Sequence, residues 1–477
     1  MIPPIRVRFA PSPTGSLHIG GIRTALFNYL FAKHYAGTFL VRIEDTDRER
    51  SEKRFEIEIL ESLKWLGLVW DEYPIRQSER LPFYRDAAAR LVSAGLAYEE
   101  EGPAGKAVKF KMPETKIKFP DMVSGPIEFD ASLFDDLVII KSDGFPTYHF
   151  ACVIDDHEMN ISHVIRGADH ISNTPRQIAI YEAFGWKAPE FAHLPLVFGI
   201  DGTLLSKRHG AVSLAEYRKE GYLPVGILNY LALLGWASGG SQELFTLQEI
   251  ANLFSLEHVS QANARFDTEK LKWLNSEHIR KLSNDDFCAR LKTYLQEYEP
   301  DGLRSDDGRL NKVMPLYKER IRTFREFMEQ ACFFFQDEIS YDPKAVQQHF
   351  KGEETRKMLE EWTKILERDG NFEDPALLEA LLRSSAEKLG VKAGLLIHPT
   401  RVAISGRSAT PGLFETMVIL GQNLVLKRLR YVVEYYDNFS ENTSSLLRGE
   451  DTGGGEMSDS PQPDLPPQGG KGTEIGL

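Results

Sequence analysis

The chain has 477 residues, enough for two to four domains with cores of their own, and carries 57 Lys and Arg against 70 Asp and Glu. A net charge of −13 argues against indiscriminate binding to polyanions, so any RNA partner has to be met by local basic faces. Three widely spaced cysteines, Cys152, Cys288 and Cys332, argue against a disulfide framework and fit a reducing compartment. No charged-then-apolar leader opens the sequence. The longest apolar run, Leu223 to Ala237, is interrupted by Asn229 and too short for a bilayer, so it is expected to be a core helix. A cytoplasmic location with no membrane contact is expected.

In chain order, Ile5, Val7 and Phe9 alternate with arginines, which predicts a strand. Pro11, Pro13 and Gly15 force a loop, and a helix follows with Ile22, Leu26, Phe27 and Leu30 on one face. His18, Gly20 and Gly21 therefore stand at a strand-to-helix junction, where free backbone N–H groups and the helix dipole attract phosphate. Phe39 to Ile43 reads as a strand with Glu44 at its exit, and Phe55 to Trp65 as an amphipathic helix. Leu81 to Ala94 reads as a second helix, stopped by Gly95. From Val108 to Ile140, short β segments broken by Pro113, Pro120, Gly125 and Pro126 predict an inserted α+β module.

Parallel α/β structure resumes near Tyr148, with a strand over Ile161 to Ile165 and a helix opened by Pro175. The apolar segment Leu194 to Phe198 ends at a glycine-bounded loop, Gly199 to Gly210, which carries Ser206, Lys207 and Arg208. Two cations and a hydroxyl on such a loop suit the neutralisation of charge building up on a pyrophosphate. Interrupted α/β units of this kind predict an open doubly wound sheet with ligands at the carboxyl ends of its strands. From Leu244 onward the pattern is almost wholly helical. The last segment, Asp451 to Leu477, holds seven Gly and four Pro with little apolar content, which predicts disorder.

The junction motif Ser16-Leu-His-Ile-Gly-Gly21 and the loop motif Leu205-Ser-Lys-Arg-His-Gly210, in this order, resemble the HIGH and KMSKS signatures of class I aminoacyl-tRNA synthetases. Phe9-Ala-Pro-Ser-Pro-Thr-Gly15, Val41-Arg-Ile-Glu-Asp-Thr-Asp47, Phe145-Pro-Thr-Tyr-His149, Val164-Ile-Arg-Gly-Ala-Asp-His170 and Thr410-Pro-Gly-Leu-Phe-Glu415 narrow the resemblance to the bacterial type of glutamyl-tRNA synthetase, over roughly residues 5 to 430. The resemblance implies a Rossmann-type α/β catalytic domain with an inserted α+β acceptor-binding module, followed by all-α tRNA-binding domains. The expected boundaries are 1–80 and 148–198 for the two halves of the catalytic domain and 81–147 for the insert. Residues 199–284 would hold the Ser-Lys-Arg loop and a helical stem-contact domain, 285–431 a helical anticodon-binding domain, and 432–477 a disordered tail.

The substrate is argued from charge. Arg8 and Arg166 sit at predicted strand ends on one lip of the sheet, and paired guanidiniums suit a dicarboxylate. Glu44, at a third strand end, suits an ammonium, and Ser12 and Tyr148 suit orienting hydrogen bonds. Two cationic sites and one anionic site describe free glutamate, and these positions match the glutamate-binding residues of the family. ATP, entering with Mg²⁺ as a substrate complex, is expected across the switch point of the sheet. Thr14 and His18 would approach its phosphates, Gly20 and Gly21 would lie under the adenosine, and Asp169 and His170 would flank the ribose or base. Ser206, Lys207 and Arg208 would come from the loop, with His18 and Lys207 as the catalytic pair. The family reaction needs no protein nucleophile, and the resemblance implies that activation depends on bound tRNA.

Two departures stand out. Many relatives place Asn or Val where this chain has Cys152, and relatives usually carry lysine where it has Leu204, which removes one cation and predicts reduced activity at most. Asp155, Asp156, His157, Glu158 and His163 are read as solvated charges. With only Glu99 to Ala107 in place of a zinc-binding insertion, no metal site and no zinc are expected. Arg265, Lys270, Lys272, Arg280 and Lys281, followed by Lys318, Arg320, Arg322 and Arg325, are expected to meet tRNA, with Arg320 reading the anticodon of tRNA for glutamate from a helix. A monomer is expected. A glutaminyl relative is disfavoured by the helical C-terminal half, and a short tRNA-modifying paralogue by the length. A catalytically silent tRNA-binding paralogue, and an enzyme that also charges tRNA for glutamine, remain as alternatives.

Overall fold

The structure is a computed structural model that describes residues 4–102, 105–205, 213–299 and 307–439. It divides into two compact units, Met1–Gln336 and Asp337–Leu477.

The first unit is built on parallel strands. β1 (Arg6–Phe9) leads through α1 (Ile19–His34) to β2 (Thr38–Ile43), which pairs parallel to β1 with Val7 opposite Phe39 and Phe9 opposite Val41. Ile22, Leu26 and Leu30 of α1 pack on Val7, Phe9 and Phe39 in one buried cluster, as the expected apolar face requires. After α2 (Lys53–Leu66), the short β3 (Ile75–Arg76) adds in parallel to β2.

The insert then begins with α3 (Leu81–Ser93) and continues through β4 (Ala97–Gly102), β5 (Gly105–Phe110), β6 (Lys116–Asp121), β7 (Gly125–Asp130) and β8 (Leu137–Ile140). β4, β5 and β8 form an antiparallel sheet of their own. The hairpin of β6 and β7 behaves differently. α4 (Tyr148–Glu158), β9 (His163–Gly167), α5 (Thr174–Ala183) and β10 (Glu190–Leu194) restore the parallel pattern, and β6 pairs with β10 at Phe191 and Asp121. The hairpin is thus an extension of the catalytic sheet, with strand order β7-β6-β10-β9.

β1 and β9 lie side by side. The Arg6 N–H donates to Ser162 Oγ at 2.8 Å, and the Ser162 N–H donates to the Arg6 carbonyl at 2.9 Å. Chain order reverses between these two strands, which makes the space beyond Phe9 and Gly167 the topological switch point.

β11 (Val197–Phe198) is followed by α6 (Leu214–Lys219), α7 (Pro224–Leu233) and α8 (Leu247–Leu253), then β12 (Ala264–Arg265) and α9 (Thr268–Lys281). One expectation needs correction here. The apolar helix ends at Leu233, not Ala237, because Gly235 takes a positive φ of 102° and Trp236 leaves to bridge Val259. The region read as almost wholly helical from Leu244 onward holds one short strand, β12, which pairs in parallel with β11.

α10 (Asn284–Tyr298), α11 (Asp307–Tyr317) and α12 (Phe324–Ala331) complete the unit. Arg320 lies in the turn between α11 and α12, not inside a helix as expected. The N–H groups of Arg320 and Ile321 both bond the Tyr317 carbonyl, and the buried Ile321 pins the turn, so the apolar spacing that suggested one helix spans two.

The second unit is helical: α13 (Pro343–His349), α14 (Gly352–Asp369), α15 (Pro375–Lys388), α16 (Gly394–Ser405), α17 (Leu413–Leu420) and α18 (Gln422–Glu434). Leu359, Trp362 and Leu366 of α14 and Val425, Leu429 and Val432 of α18 are fully buried. The expected start of a disordered tail at 432 is therefore too early. Val432 is inside α18, Tyr436 is only 2% exposed, and the Phe439 ring stands 4.8 Å from Tyr341. A stop after Arg430 would cut core, because the small polar residues that suggested a tail begin only later. The segment expected to be disordered, Asp451 to Leu477, lies outside the described residues.

Candidate active site

A cavity of about 1590 Å³ opens at the switch point, beyond the carboxyl ends of β1, β2, β9 and β10. Arg8, Ser12, Glu44, Tyr148 and Arg166 line it, as do Thr14, His18, Gly20, Gly21, Asp169 and His170. Every residue expected to bind glutamate or ATP within the described chain borders this one space, and none of the cations expected to meet tRNA does. Ser206, Lys207 and Arg208 lie outside the described residues. The flanks of their segment are fixed, however: Leu205 and Ser213 both line the cavity, and Ser213 bridges His18.

His18 is the N-cap of α1, and its Nδ1 accepts the Gly21 N–H at 3.3 Å. That bond makes Nδ1 an acceptor, so the neutral ring carries its proton on Nε2. The ring keeps open surface toward the cavity, yet desolvation by the surrounding protein pushes its pKa below the ordinary histidine value, with Asp169 opposing in part. A Cβ on Gly20 would stand 3.2 Å from the His18 ring, so the glycine gives the imidazole its room.

The carboxylate-binding side differs from the expectation. Arg8 does not present a free fork. Its Nε and Nη2 bond Asp156 Oδ1 and Oδ2 at 2.9 and 3.1 Å, which leaves Nη1 outside this pairing. Arg42, fully buried, donates to Asp156 and to Glu44 Oε1 at 2.9 Å. Burial works to raise the Asp156 pKa, but Arg42 and Arg8 outweigh it and hold the carboxyl well below its ordinary range. Burial raises the pKa of Glu44, with Arg42 partly offsetting it. Cys152 sits against this cluster, its Sγ 3.3 Å from Arg42 Nη2, and burial pushes its thiol up to about 12. A protonated, compact thiol fills the position without adding charge.

Arg166 is the contrasting case. It is 5% exposed and bonds only neutral groups: Thr174 Oγ1 at 2.8 Å, His193 Nε2 at 3.2 Å and the Tyr148 hydroxyl at 3.5 Å. Among the described residues no carboxylate pairs with it directly. Tyr148 in turn contacts His170 Nδ1 at 3.1 Å, and burial lowers the His170 pKa to about 4, so this ring is neutral at pH 7.

Asp155 and Asp156, read as solvated, are in fact buried and structural, whereas Glu158 is exposed as expected. Asp155 accepts bonds from Gln77, Arg80 and Tyr84, Asp156 is held as above, and His157 stacks on Trp186. Among the described residues no group of three or more His, Cys, Asp or Glu is arranged to hold a metal ion. No described helix is long and apolar enough to cross a membrane.

Comparison with known proteins decides the family. The model for class I tRNA synthetases of the E and Q type, catalytic domain, matches residues 4–106 and 99–273, and an anticodon-binding-domain model matches 286–433. The chain is 43% identical to the glutamate–tRNA ligase of Moorella thermoacetica, covering 89% of this chain and 97% of that protein. It is 41% identical to that of Elusimicrobium minutum, covering 90% and 99%. A solved glutamate tRNA ligase from Elizabethkingia meningosepticum, in complex with its amino acid, superposes with a TM-score of 0.80 at 33% identity, over 90% of this chain and 99% of that one. The chain belongs to the glutamyl-tRNA synthetases.

As a glutamyl-tRNA synthetase it should carry basic surface for RNA, but most of the expected cations are already paired. Lys270 bonds Glu243, Lys272 reaches Glu269, Arg280 pairs with Glu277, Arg322 with Glu269 and Glu326, and Arg325 with Glu220 and Glu329. Arg265 and Arg320 are exposed and make no ion pair among the described residues. Leu204 is 58% exposed and bridges Phe198 at the cavity edge.

Sequence reasoning missed Arg42, Asp156, Asp121, His193 and Thr174. Their signal was present: Arg42 and His193 are ionisable residues inside strands whose buried neighbours are apolar. Such a residue needs a buried partner.

Proposed function

We propose that glutamate, Mg-ATP and the 3′ end of tRNA for glutamate meet in this cavity, where the chain acts as a glutamate–tRNA ligase. One observation carries the reading: the switch-point cavity joins a helix N-terminus capped by His18 to a buried guanidinium, Arg166, that lacks a carboxylate of its own. The first suits phosphate and the second suits the carboxylate of an incoming amino acid.

Arg166 takes one carboxylate of glutamate. Arg8 offers the other a single Nη1 donor, because its fork is committed to Asp156. Glu44 has one oxygen on Arg42 and presents the other to the ammonium, while Ser12 and the Tyr148 hydroxyl orient the ligand. Thr14, Gly20 and Gly21 line the nucleotide path, and Asp169 and His170 border the ribose or base. The His18 Nε2–H donates to the phosphates, joined from the 206–208 segment by Ser206, Lys207 and Arg208.

The α-carboxylate oxygen attacks the α-phosphorus in line, the bond to pyrophosphate breaks, and glutamyl-adenylate forms. The terminal ribose hydroxyl of tRNA then attacks the carbonyl carbon and AMP leaves. Positioning and electrostatic stabilisation carry the rate. The chain works as a monomer in the cytoplasm, needs no zinc, and activates glutamate efficiently only with tRNA bound. The boundaries given for the insert and the stem-contact and anticodon regions assign acceptor, stem and anticodon contacts in that order. Lys207→Ala should lower turnover by roughly 10²–10³ with little change in KM for glutamate, as for loss of one transition-state donor. Unchanged turnover in a single-turnover charging assay would remove the loop from the phosphates.

A further inference from the structure

Arg166 reaches the cavity from the end of β9, and what holds its side chain in place lies behind it. Its Nε–H points at His193 Nε2, 3.2 Å away on the neighbouring β10. A guanidinium can only donate, so that nitrogen must be an acceptor. The other ring nitrogen, Nδ1, stands 2.6 Å from Asp121 Oδ2 and therefore carries the proton. His193 is 1% exposed and Asp121 is 4% exposed, so solvent does not compete for either. Asp121 is itself fixed by the N–H groups of Val123, Ser124 and His193.

Asp121 is the last residue of β6, in the hairpin that the insert lends to the catalytic sheet. We infer that Asp121 and His193 form a positioning relay from the inserted hairpin to Arg166, fixing the histidine tautomer that aims the guanidinium at the substrate carboxylate. Neither residue lines the cavity, so neither is catalytic. Thr174 Oγ1, 2.8 Å from Arg166 Nη2 and 3.1 Å from His193 Nε2, closes the arrangement from the first turn of α5.

The logic runs through the tautomer. With Asp121 ionised, the Nδ1–H form is selected and Nε2 keeps its lone pair for Arg166. With Asp121 replaced by Asn, the amide can turn its own N–H toward Nδ1, the ring proton moves to Nε2, and two donors then face each other. Arg166 must turn away or lose a bond, and glutamate binding weakens while the ATP side is untouched. A carboxylate–histidine pair that orients a third group through the tautomer is a recurring device in binding sites.

This inference rests on the reading of Arg166 as a glutamate ligand, and the test separates the two. Full-length Arg166→Ala, Asp121→Asn, His193→Gln and His193→Leu, with the double variant Asp121→Asn/Arg166→Ala, are compared in charging assays with tRNA for glutamate, following KM for glutamate and for ATP. Asp121→Asn should raise KM for glutamate about tenfold, the loss of roughly one hydrogen bond to a charged group, and leave KM for ATP within twofold. His193→Gln, whose side-chain oxygen can still accept from Arg166, should be milder than His193→Leu. In the double variant the Asp121 change should add nothing beyond Arg166→Ala.

A change in Asp121→Asn that affects ATP and glutamate equally, or that adds in full to Arg166→Ala, overturns the relay. An Arg166→Ala enzyme with normal KM for glutamate overturns the underlying reading instead. Should Asp121→Asn fail to fold, ¹⁵N NMR of the wild type decides: His193 must remain a neutral Nδ1–H ring between pH 6 and 8. An Nε2–H signal sinks the relay.

Discussion

The Arg8 guanidinium lies fork to fork on the Asp156 carboxylate, Nε to Oδ1 at 2.9 Å and Nη2 to Oδ2 at 3.1 Å, with side chains 4% and 3% exposed. Arg42 joins the same carboxylate from β2 and ties it to Glu44. A residue that the sequence suggests as a substrate clamp is thus half structural, and its partner on α4 fixes it. The arrangement suits a site that must present charge in one geometry, because a buried guanidinium already held by a carboxylate has little freedom left.

Removing the shared carboxylate should be costly. Asp156→Asn leaves Arg8 and Arg42 facing a neutral amide inside the protein, and breaking a buried pair from one side costs about 3–5 kcal/mol. Urea unfolding at pH 7.5 checks this. A loss below about 1 kcal/mol would mean that water or Glu44 compensates both guanidiniums.

Stability should fall as the solution is acidified from neutral pH. Burial lowers the pKa of His149 and His278 to about 4 and depresses those of His163 and His193. Between the ordinary histidine value near 6.5 and these lower values, the unfolded chain binds protons that the folded chain refuses, so unfolding becomes easier as pH drops. Asp156, depressed by Arg42 and Arg8 against the effect of burial, acts in the same direction further down, below the ordinary carboxylate range. Urea midpoints at pH 7.5, 6.0 and 5.0 should decrease in that order. A flat or rising series would show that these rings are protonated in the folded state.

The proposed anticodon contact rests on a turn. Arg320, exposed between α11 and α12 and outside every ion pair among the described residues, is free to pair with the edge of a splayed base and stack on its neighbour. Arg320→Gln should weaken charging of tRNA for glutamate and relax rejection of tRNA for glutamine. An unchanged ratio of charging rates for the two purified tRNAs would leave Arg320 as surface charge.

Much of this was legible in the sequence, for physical reasons. The alternation in β1, the proline and glycine punctuation before α1, and the glycines beside His18 are local signals, and each placed its element correctly. Arg8, Glu44 and Arg166 stood at or beside predicted strand ends, which puts them on one lip of a parallel sheet. What stayed hidden was pairing across distance. Nothing local shows that Asp156 on α4 takes up the fork of Arg8, 148 positions away, or that Asp121 of the insert meets His193, 72 positions away. The helix expected around Arg320 failed because apolar spacing at Leu316, Ile321 and Phe324 fits one long helix and two helices with a buried turn equally well. The ion pairs within the charge runs were hidden because a cation's acidic partner is invisible until the helices pack: Arg325 meets Glu220, 105 positions away.

The central claim is that this cavity selects glutamate through a buried guanidinium and joins it to tRNA. Charging of tRNA for glutamate with labelled glutamate and with labelled glutamine, at matched concentrations of purified full-length chain and ATP, tests it most directly. The account predicts glutamyl-tRNA formation, with glutamine poorer by roughly 10⁴ in kcat/KM, because a neutral amide leaves Arg166 unpaired. Charging with glutamine at a rate equal to that with glutamate, or no charging with glutamate at all, would contradict it.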